Sequence, residues 1–496
     1  MAPLDSKRRF SIRVPLIWSL TLLFGFTIFL SAFLLFSLEP LIGKRILPWF
    51  GGSAAVWCTC LVFFQTTLLI GYLYARWLSR AVASKKQAWI HCAILLGSLI
   101  LLPIGPGLRW RMDAPGHPAW AILLMLCATI GLPFAALSAT SPLLQHWAAR
   151  LGNRKPYGLF AVSNFASLAA LFAYPLLVEP TLDMPAQRWS WSLLYVLFAG
   201  VCAAVAWVTK AVTDTTESCS RSTRPRLPQR SLWFALAACG SMLLLSVTNH
   251  ITENVAAVPL LWILPLAVYL LTFVLAFSGG TIYKRTLWLR LLAMALGVLG
   301  YAIYDINTIE AIQISLPIFL LSLFACCMFC HGELNRARPE PGQITDFYLM
   351  IAAGGAVGAI FVGLIAPVIF NGIYELPLTL LVTALLALIV TWRDETWAMR
   401  LLWTGVSIGM VVVFAGNVSA FRDNSLTLRR SFYGSLRVVQ SRHAGERQTR
   451  TLFHGTIEHG AQFVLPPLRF RPTTYYGTDS GIGIVLRECF TRPKRV

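Results

Sequence analysis

The length of its hydrophobic runs constrains this chain more than any other feature. Apolar residues gather in runs of about 18 to 25, bounded by charged or Gly/Pro-rich turns. That is the length a helix needs, at about 1.5 Å per residue, to cross roughly 30 Å of hydrocarbon. A bilayer core offers backbone amides no outside partner, so such runs satisfy their own hydrogen bonds as helices. Thirteen spans are read in this way, at about 16–38, 54–78, 88–105, 119–147, 157–178, 190–210, 231–250, 258–278, 286–304, 311–330, 346–370, 374–391 and 398–415. Of the 496 residues, 57% are apolar and only 12% charged, where a globular chain in water carries roughly a quarter charged residues. The reading is an all-α polytopic membrane protein, with the lipid bilayer as its main partner, rather than a soluble enzyme.

A formal net charge of +20 raises nucleic acid as a partner, and the placement of the charge argues against it. With a cytoplasmic N-terminus, Lys and Arg up to residue 400 number about 23 on the inner side, beginning with Lys7, Arg8, Arg9 and Arg13, and about 5 on the outer (Lys44, Arg45, Arg109, Arg111 and Arg188). Acidic residues divide evenly, so the asymmetry is a Lys/Arg effect that sets orientation. No small-residue cleavage site follows the basic start, so the first span is expected to be retained. The eleven cysteines lie mostly inside apolar runs and read as small core residues.

The segment from Thr213 to Arg230 (TDTTESCSRSTRPRLPQR) is polar, basic and Pro-containing. It divides the chain into a basic N-terminus (1–15), a first transmembrane half (16–210), a linker (211–230), a second half with one extra span (231–416) and a C-terminal segment (417–496). The halves share a grammar. Pro156 to Pro180 (PYGLFAVSNFASLAALFAYPLLVEP) and Asp346 to Phe370 (DFYLMIAAGGAVGAIFVGLIAPVIF) each have an aromatic start, small residues in mid-span and an exit proline. Two six-helix repeats are expected. Their small residues (Ser163, Ser167, Ala169; Gly354, Gly355, Gly358) allow close helix contact. After Asn417 the text alternates as in strands, with Ser431 to Val439 and Arg450 to Phe463 read as a β-hairpin about a polar turn near Gly445. Thirteen crossings put this segment outside the cytoplasm.

Ionisable groups in or beside spans cost a few kcal/mol each and are candidate functional groups. Glu39, Lys44, Arg45, Glu179, Asn249, His250 and Glu253 fall at outer span ends, and Gln65 and Asn164 within spans. Two readings stand: a substrate vestibule or charge-paired gate, or interfacial anchoring in which Glu39 pairs with Lys44 or Arg45. Cys327-Met328-Phe329-Cys330-His331 fits the C-x-x-C-H pattern of haem attachment, but lies at the cytoplasmic end of its span. Cys327, Cys330, His331 and Glu333 have metal-ligand chemistry with no second cluster to complete a site. Packing at the helix end is the preferred reading, and no metal is expected.

Glu39 to Ala75 (EPLIGKRILPWFGGSAAVWCTCLVFFQTTLLIGYLYA), Ser141 to Gln145 (SPLLQ), Val258 to Phe273 (VPLLWILPLAVYLLTF), Cys330 to Leu334 (CHGEL) and the tail pattern FYG, HG, HG, YYG, SGIG carry a resemblance over nearly the whole chain. They resemble bacterial membrane proteins described as fused major-facilitator-like and spermidine-synthase-like proteins. The resemblance implies a major-facilitator-like bundle in the bacterial inner membrane. In that family the tail leads into a Rossmann-like domain, and a full-length relative would bind decarboxylated S-adenosylmethionine. Here the sequence stops at Val496, about where the first strand of that domain would begin, so neither its glycine-rich loop nor its ribose-binding acid is present and no cofactor is expected in this chain. Gly481-Ile482-Gly483 is only a weak likeness, since no buried strand precedes it. The substrate-groove motifs of soluble spermidine synthases are approximated by Gly455-Thr456-Ile457-Glu458 and Tyr475-Tyr476-Gly477, with Glu458 replacing a glutamine and Gly477 a histidine. Glu458, His459, Gln462, Tyr475, Tyr476 and Asp479 have the carboxylates and aromatic faces that suit a cationic amine.

Three functions remain open on the sequence. The first is transport or presentation of a polyamine or similar small cation. The second is the membrane part of an aminopropyltransferase whose Rossmann domain is missing or on a separate chain. The third is a noncatalytic envelope scaffold.

Overall fold

The computed structural model describes residues 6–111, 116–150, 156–212, 226–254, 260–278, 282–304, 312–339, 343–394, 396–423, 425–441, 448–455, 457–466 and 468–488. Each of the thirteen spans overlaps a helix, although the third runs past helical structure that ends at Leu101, and the eighth, whose first residues 258–259 lie outside the described residues, meets a helix that starts at Ile263. The first six are α1 (Ser6–Phe50), α2 (Ala54–Ala81), α3 (Ser84–Ser98), α4 (Pro118–Arg150), α5 (Pro156–Ala173) and α6 (Met184–Val212). The next six are α7 (Leu227–Asn254), α8 (Ile263–Phe277), α9 (Arg285–Tyr304), α10 (Ile312–Arg336), α11 (Ile344–Ile360) and α12 (Glu375–Asp394), followed by α13 (Trp397–Asp423). Among the described residues, 11 helices are long and apolar enough to cross a membrane, and two shorter apolar helices, Lys86–Leu101 and Ile263–Phe277, lie among them. Large apolar side chains such as Ile100, Leu193, Leu321 and Val412 stand exposed on the outside of the bundle, as a lipid-facing surface requires. The chain is a multipass helical membrane protein.

Packing repeats between the halves. Helix α1 packs on α2, α4, α5 and α6, and α7 packs in the same way on α8, α10, α11 and α12. The pairs α2–α4, α3–α4 and α3–α6 recur as α8–α10, α9–α10 and α9–α12. The halves then meet reciprocally, α2 against α11 and α5 against α8. This is the two-repeat arrangement expected from the sequence. The thirteenth helix, α13, packs outside the second half on α12 and α9.

The fifth helix of each repeat carries the same irregularity. Helix α5 continues through a π-helical turn, Tyr174–Val178, into Glu179–Thr181, and α11 through a π turn, Phe361–Ile365, into Ala366–Ile369. A π turn adds a residue to the helical ladder and shifts the face presented by the helix beyond it. The exit prolines sit differently about it: Pro175 is within the first π turn, and Pro367 just after the second. The glycines of α11 bring it against α7, because a methyl group at Gly354 would meet the Phe234 carbonyl oxygen and one at Gly358 the Ala238 carbonyl oxygen.

The C-terminal segment departs from the expected hairpin. It is a four-stranded antiparallel meander of β1 (Thr427–Ser431), β2 (Gly434–Gln440), β3 (Thr449–His454) and β4 (Ile457–Phe463), in spatial order β1-β2-β3-β4. Each stretch read as one strand is broken by a glycine with positive φ: Gly434 at 136° and Gly455 at 61°. These are turn conformations open to glycine without steric cost. Helix α13 also runs on to Asp423, past the compositional change at residue 417. Gly481-Ile482-Gly483 opens a short helix, α14 (Gly481–Glu488). Most of the linker, 213–225, the turn near Gly445 and residues 489–496 lie outside the described residues.

The sheet sits on the end of the bundle where α1 and α7 finish, here termed the distal end; the end where α1 starts is proximal. Arg430 of β1, 5% exposed at its side chain, reaches into the helices and pairs with Glu375, 0% exposed, at the start of α12. Gly455 lies against the last carbonyls of α7, and Phe432 packs on the first half's core.

Candidate functional site

A cavity of about 190 Å³ lies between the halves, walled by α1, α2, α4 and α5 on one side and α7, α8 and α11 on the other. The wall follows the repeat. Leu61, Phe64, Gln65 and Leu68 of α2 have the same spacing as Leu266, Tyr269, Leu270 and Phe273 of α8, and all eight line it. Ser163, Asn164 and Ser167 of α5 are spaced as Ile351, Ala352 and Gly355 of α11. One turn beyond Leu61 and Leu266 stand Trp57 and Trp262, whose rings stack at 3.2 Å between centroids and 19°. Gly43 of α1 lies beneath them, where a methyl group would come within 3.3 Å of the Trp262 ring. This ring pair joins the halves on the distal side of the cavity. Toward the proximal end the cavity reaches Tyr72 and Tyr348. One turn past Tyr72, Arg76 forms an ion pair with Asp346 of α11, and Arg80 lies 3.5 Å from the same oxygen. Both contacts join one half to the other.

Glu39 is the only carboxylate among the described lining residues, and no Lys, Arg or His among them lines the cavity. Its residue is 4% exposed, and its Oε2 has no hydrogen-bond partner. The other polar groups are largely committed. Ser31 Oγ donates to the Leu137 carbonyl at 2.9 Å, Ser138 Oγ to the Phe134 carbonyl at 2.9 Å, and Ser167 Oγ to the Ser163 carbonyl at 2.9 Å. Ser241 Oγ donates to Gln65 Oε1 at 3.0 Å, which ties α7 to α2. One carboxylate thus shares the cavity with the rings of Phe36, Phe64, Tyr269 and Phe273, and ring faces attract organic cations.

The sequence candidates separate into four places. Glu39, Gln65 and Asn164 share the central cavity. Glu39 does not pair with Lys44 or Arg45. Lys44 Nζ instead donates to Glu179 Oε1 at 2.6 Å, while Arg45 Nε donates to the Pro106 carbonyl at 3.4 Å and stacks over Trp49. The reason is helical phase: Glu39 faces the lumen, and α1 turns Lys44 toward the end of α5. Asn249 accepts from Cys58 Sγ at 3.2 Å between α7 and α2. His250 and Glu253 lie under the sheet, His250 beside Asn254 (3.2 Å) and Glu253 within electrostatic reach of Arg430 and Glu375.

The tail candidates stay on the sheet. Tyr475 and Tyr476 are 53% and 51% exposed with rings 4.7 Å apart, and Tyr475 OH donates to the His459 carbonyl at 2.6 Å. Gln462 Nε2 donates to the Arg469 carbonyl at 3.4 Å, and Glu458 and Asp479 are exposed. None of these five lines the central cavity.

The C-x-x-C-H residues diverge. His331 Nδ1 meets Thr272 Oγ1 at 2.9 Å, and Glu333 Oε1 accepts from Tyr283 OH at 2.8 Å and from Arg285 Nε at 3.0 Å. Burial, with Glu333 beside it, pushes the Tyr283 hydroxyl's pKa well up, so it stays a donor. Among the described residues no three His, Cys, Asp or Glu side chains gather as a metal would need.

Sequence reading passed over Trp57, Trp262 and the Arg76–Asp346 and Arg430–Glu375 pairs. The equal spacing of the α2 and α8 walls would have flagged the two tryptophans. The ion pairs join residues far apart in sequence, and nothing local marks them.

No protein-family model and no curated protein matches the sequence. Among solved structures the chain is similar to the human organic anion transporter MFSD10 (TETRAN), at 12% identity and TM-score 0.44, covering 80% of this chain and 98% of that one. It is similar to the nucleoside transporter NupG, at 13% identity and TM-score 0.44, covering 81% and 99%. It is also similar to an auto-inhibited POT family peptide transporter, at 13% identity and TM-score 0.44, covering 81% and 97%.

Proposed function

We propose that this protein is a membrane transporter that exposes its central cavity alternately to the two sides of the membrane, and that its solute is a small organic cation of the polyamine class. Glu39 carries this reading. An unpaired carboxylate in a low-dielectric cavity is costly when charged, and an ammonium group placed between it and the aromatic faces removes that cost. At about 190 Å³ the cavity is below the roughly 300 Å³ at which drug-sized sites begin, which favours a compact solute. The Lys/Arg asymmetry supports a cytoplasmic N-terminus in a bacterial inner membrane, with the sheet on the far side.

The test is uptake of labelled putrescine and spermidine into proteoliposomes holding the full chain, beside a neutral nucleoside and a dipeptide. Saturable polyamine uptake that disappears in Glu39→Gln supports the reading. Uptake equal to protein-free vesicles, or uptake indifferent to Glu39→Gln, overturns it.

A further inference from the structure

A second, smaller cavity of about 30 Å³ lies where the sheet meets the helices. It is bounded by α7 (His250, Asn254), α9 (Ile303), the start of α12 (Pro377), α13 (Asn417, Phe421) and β2 (Ser435, Arg437). Three of its polar atoms are buried without a hydrogen-bond partner: Arg437 Nε, Ser435 Oγ and Asn417 Oδ1. Ser435 is 3% and Asn417 6% exposed. Ser435 and Arg437 stand two residues apart on β2, so both project from one face of the strand. Groups of this kind are rarely left unsatisfied in a folded protein, and each calls for a partner.

Charge says which partner. Arg437 is the only permanently charged residue among the described residues lining the cavity. Its guanidinium lies 4.9 Å from the Phe421 ring centre and 5.4 Å from that of Phe453, and burial lowers its pKa. Arg430, which stands on β1 opposite Ser435, has Glu375. Glu253 belongs to that Arg430–Glu375 cluster. No carboxylate pairs with Arg437 among the described residues. A water would satisfy Ser435 and Asn417 but bring no counter-charge to the inward Nε side of this partly buried guanidinium.

We propose that the cavity binds one small monovalent anion of the halide class, held by Arg437, the Ser435 hydroxyl and the Asn417 amide turned to present its N–H groups. Turning the amide exchanges two nearly isosteric atoms and costs no contact, because its oxygen has no partner. His250 adds a fourth donor. Its Nδ1 accepts from the Asn254 amide nitrogen, which leaves the ring proton on Nε2. A water needs about 10–15 Å³ of such space, so about 30 Å³ has room for a single halide ion. The site is separate from the central cavity and stands whether or not the chain carries polyamines. Its consequence is that halide fastens the sheet to the distal end.

Thermal unfolding of the full chain in detergent, in sodium chloride or bromide against sodium gluconate at equal ionic strength, tests the site. The expected result is a saturable rise of the midpoint with halide that is lost in both Arg437→Gln and Asn417→Leu, with bromide anomalous density between these residues in crystals. Equal midpoints in halide and gluconate, a halide response that persists in the variants, or water alone in the cavity would overturn it. Should Arg437→Gln fail to fold, Asn417→Leu and Ser435→Ala decide the outcome.

Discussion

The two halves of the bundle share a packing plan but line the cavity between them differently. Where the first half places Gln65, Ser163, Asn164 and Ser167, the second places Leu270, Ile351, Ala352 and Gly355 at matching spacing. Glu39 also comes from the first half. The second half answers with Tyr269, Phe273 and Tyr348. A duplicated scaffold thus keeps the contacts that set its shape, such as α1 on α5 and α7 on α11, while its cavity-facing residues diverge: the polar side chains gather on the first half, and both halves supply aromatic rings, Phe36, Phe64, Tyr72 and Phe134 from the first. Packing and cavity lining use different faces of the same helices.

Replacing the one carboxylate should break this contrast most severely. Glu39→Gln is expected to lower polyamine uptake about ten- to a hundredfold, the loss of a charged hydrogen bond worth roughly 1.5–3 kcal/mol, with Glu39→Asp between it and wild type in the same flux assay. Next comes the sheet anchor on the second half. Arg430→Gln leaves Glu375 buried and unpaired, for a loss of about 3–5 kcal/mol. Calorimetry should show a matching fall in midpoint, and Arg430→Gln with Glu375→Gln together should recover most of it. Adding volume where α11 meets α7 tests the shared plan: Gly354→Ala should cost about 1–3 kcal/mol, whereas Gly405→Ala in α13, where nothing lies within 4 Å, should hold or slightly raise the midpoint.

A smaller effect sharpens the division of labour. Gln65→Leu should raise the KM for uptake several-fold, for roughly 1 kcal/mol, and adding Leu270→Gln should not restore it, because the amide would then stand on the wall away from Glu39. Full rescue would show that the two walls are interchangeable. Smallest is Lys44→Ala. With its pair to Glu179 about one-third exposed on both sides, the change should stay below about 1 kcal/mol and leave the unfolding midpoint nearly unmoved.

Much of this was legible in the sequence for a plain reason. Span length is dictated by the bilayer, so all thirteen helices could be read locally, and the repeated text around Ser163 and Gly354 reported the two halves. Glu39, Gln65 and Asn164 were singled out because polar groups in apolar runs are expensive, and they share one cavity. The partners of Glu39 and Lys44 were not legible. Lys44 is five residues from Glu39 and 135 from Glu179, yet helical phase hands it to the distant residue. The same holds for Arg430, whose partner is set by where the sheet docks. Two glycines with positive φ turned an expected hairpin into four strands, a backbone property that alternating hydrophobicity does not report.

The Trp57–Trp262 stack has a consequence for the balance between cavity exposures. In the proposed transport cycle the rings, which belong to opposite halves, would part as the distal side opens. An aromatic pair contributes about 0.5–1.5 kcal/mol beyond its buried area, and about 1 kcal/mol alters a two-state ratio roughly fivefold. Trimming either ring would therefore redistribute the resting population toward the distal-open form without touching the carboxylate that meets the solute. The ring pair acts as a dial on occupancy, set apart from the chemistry of recognition.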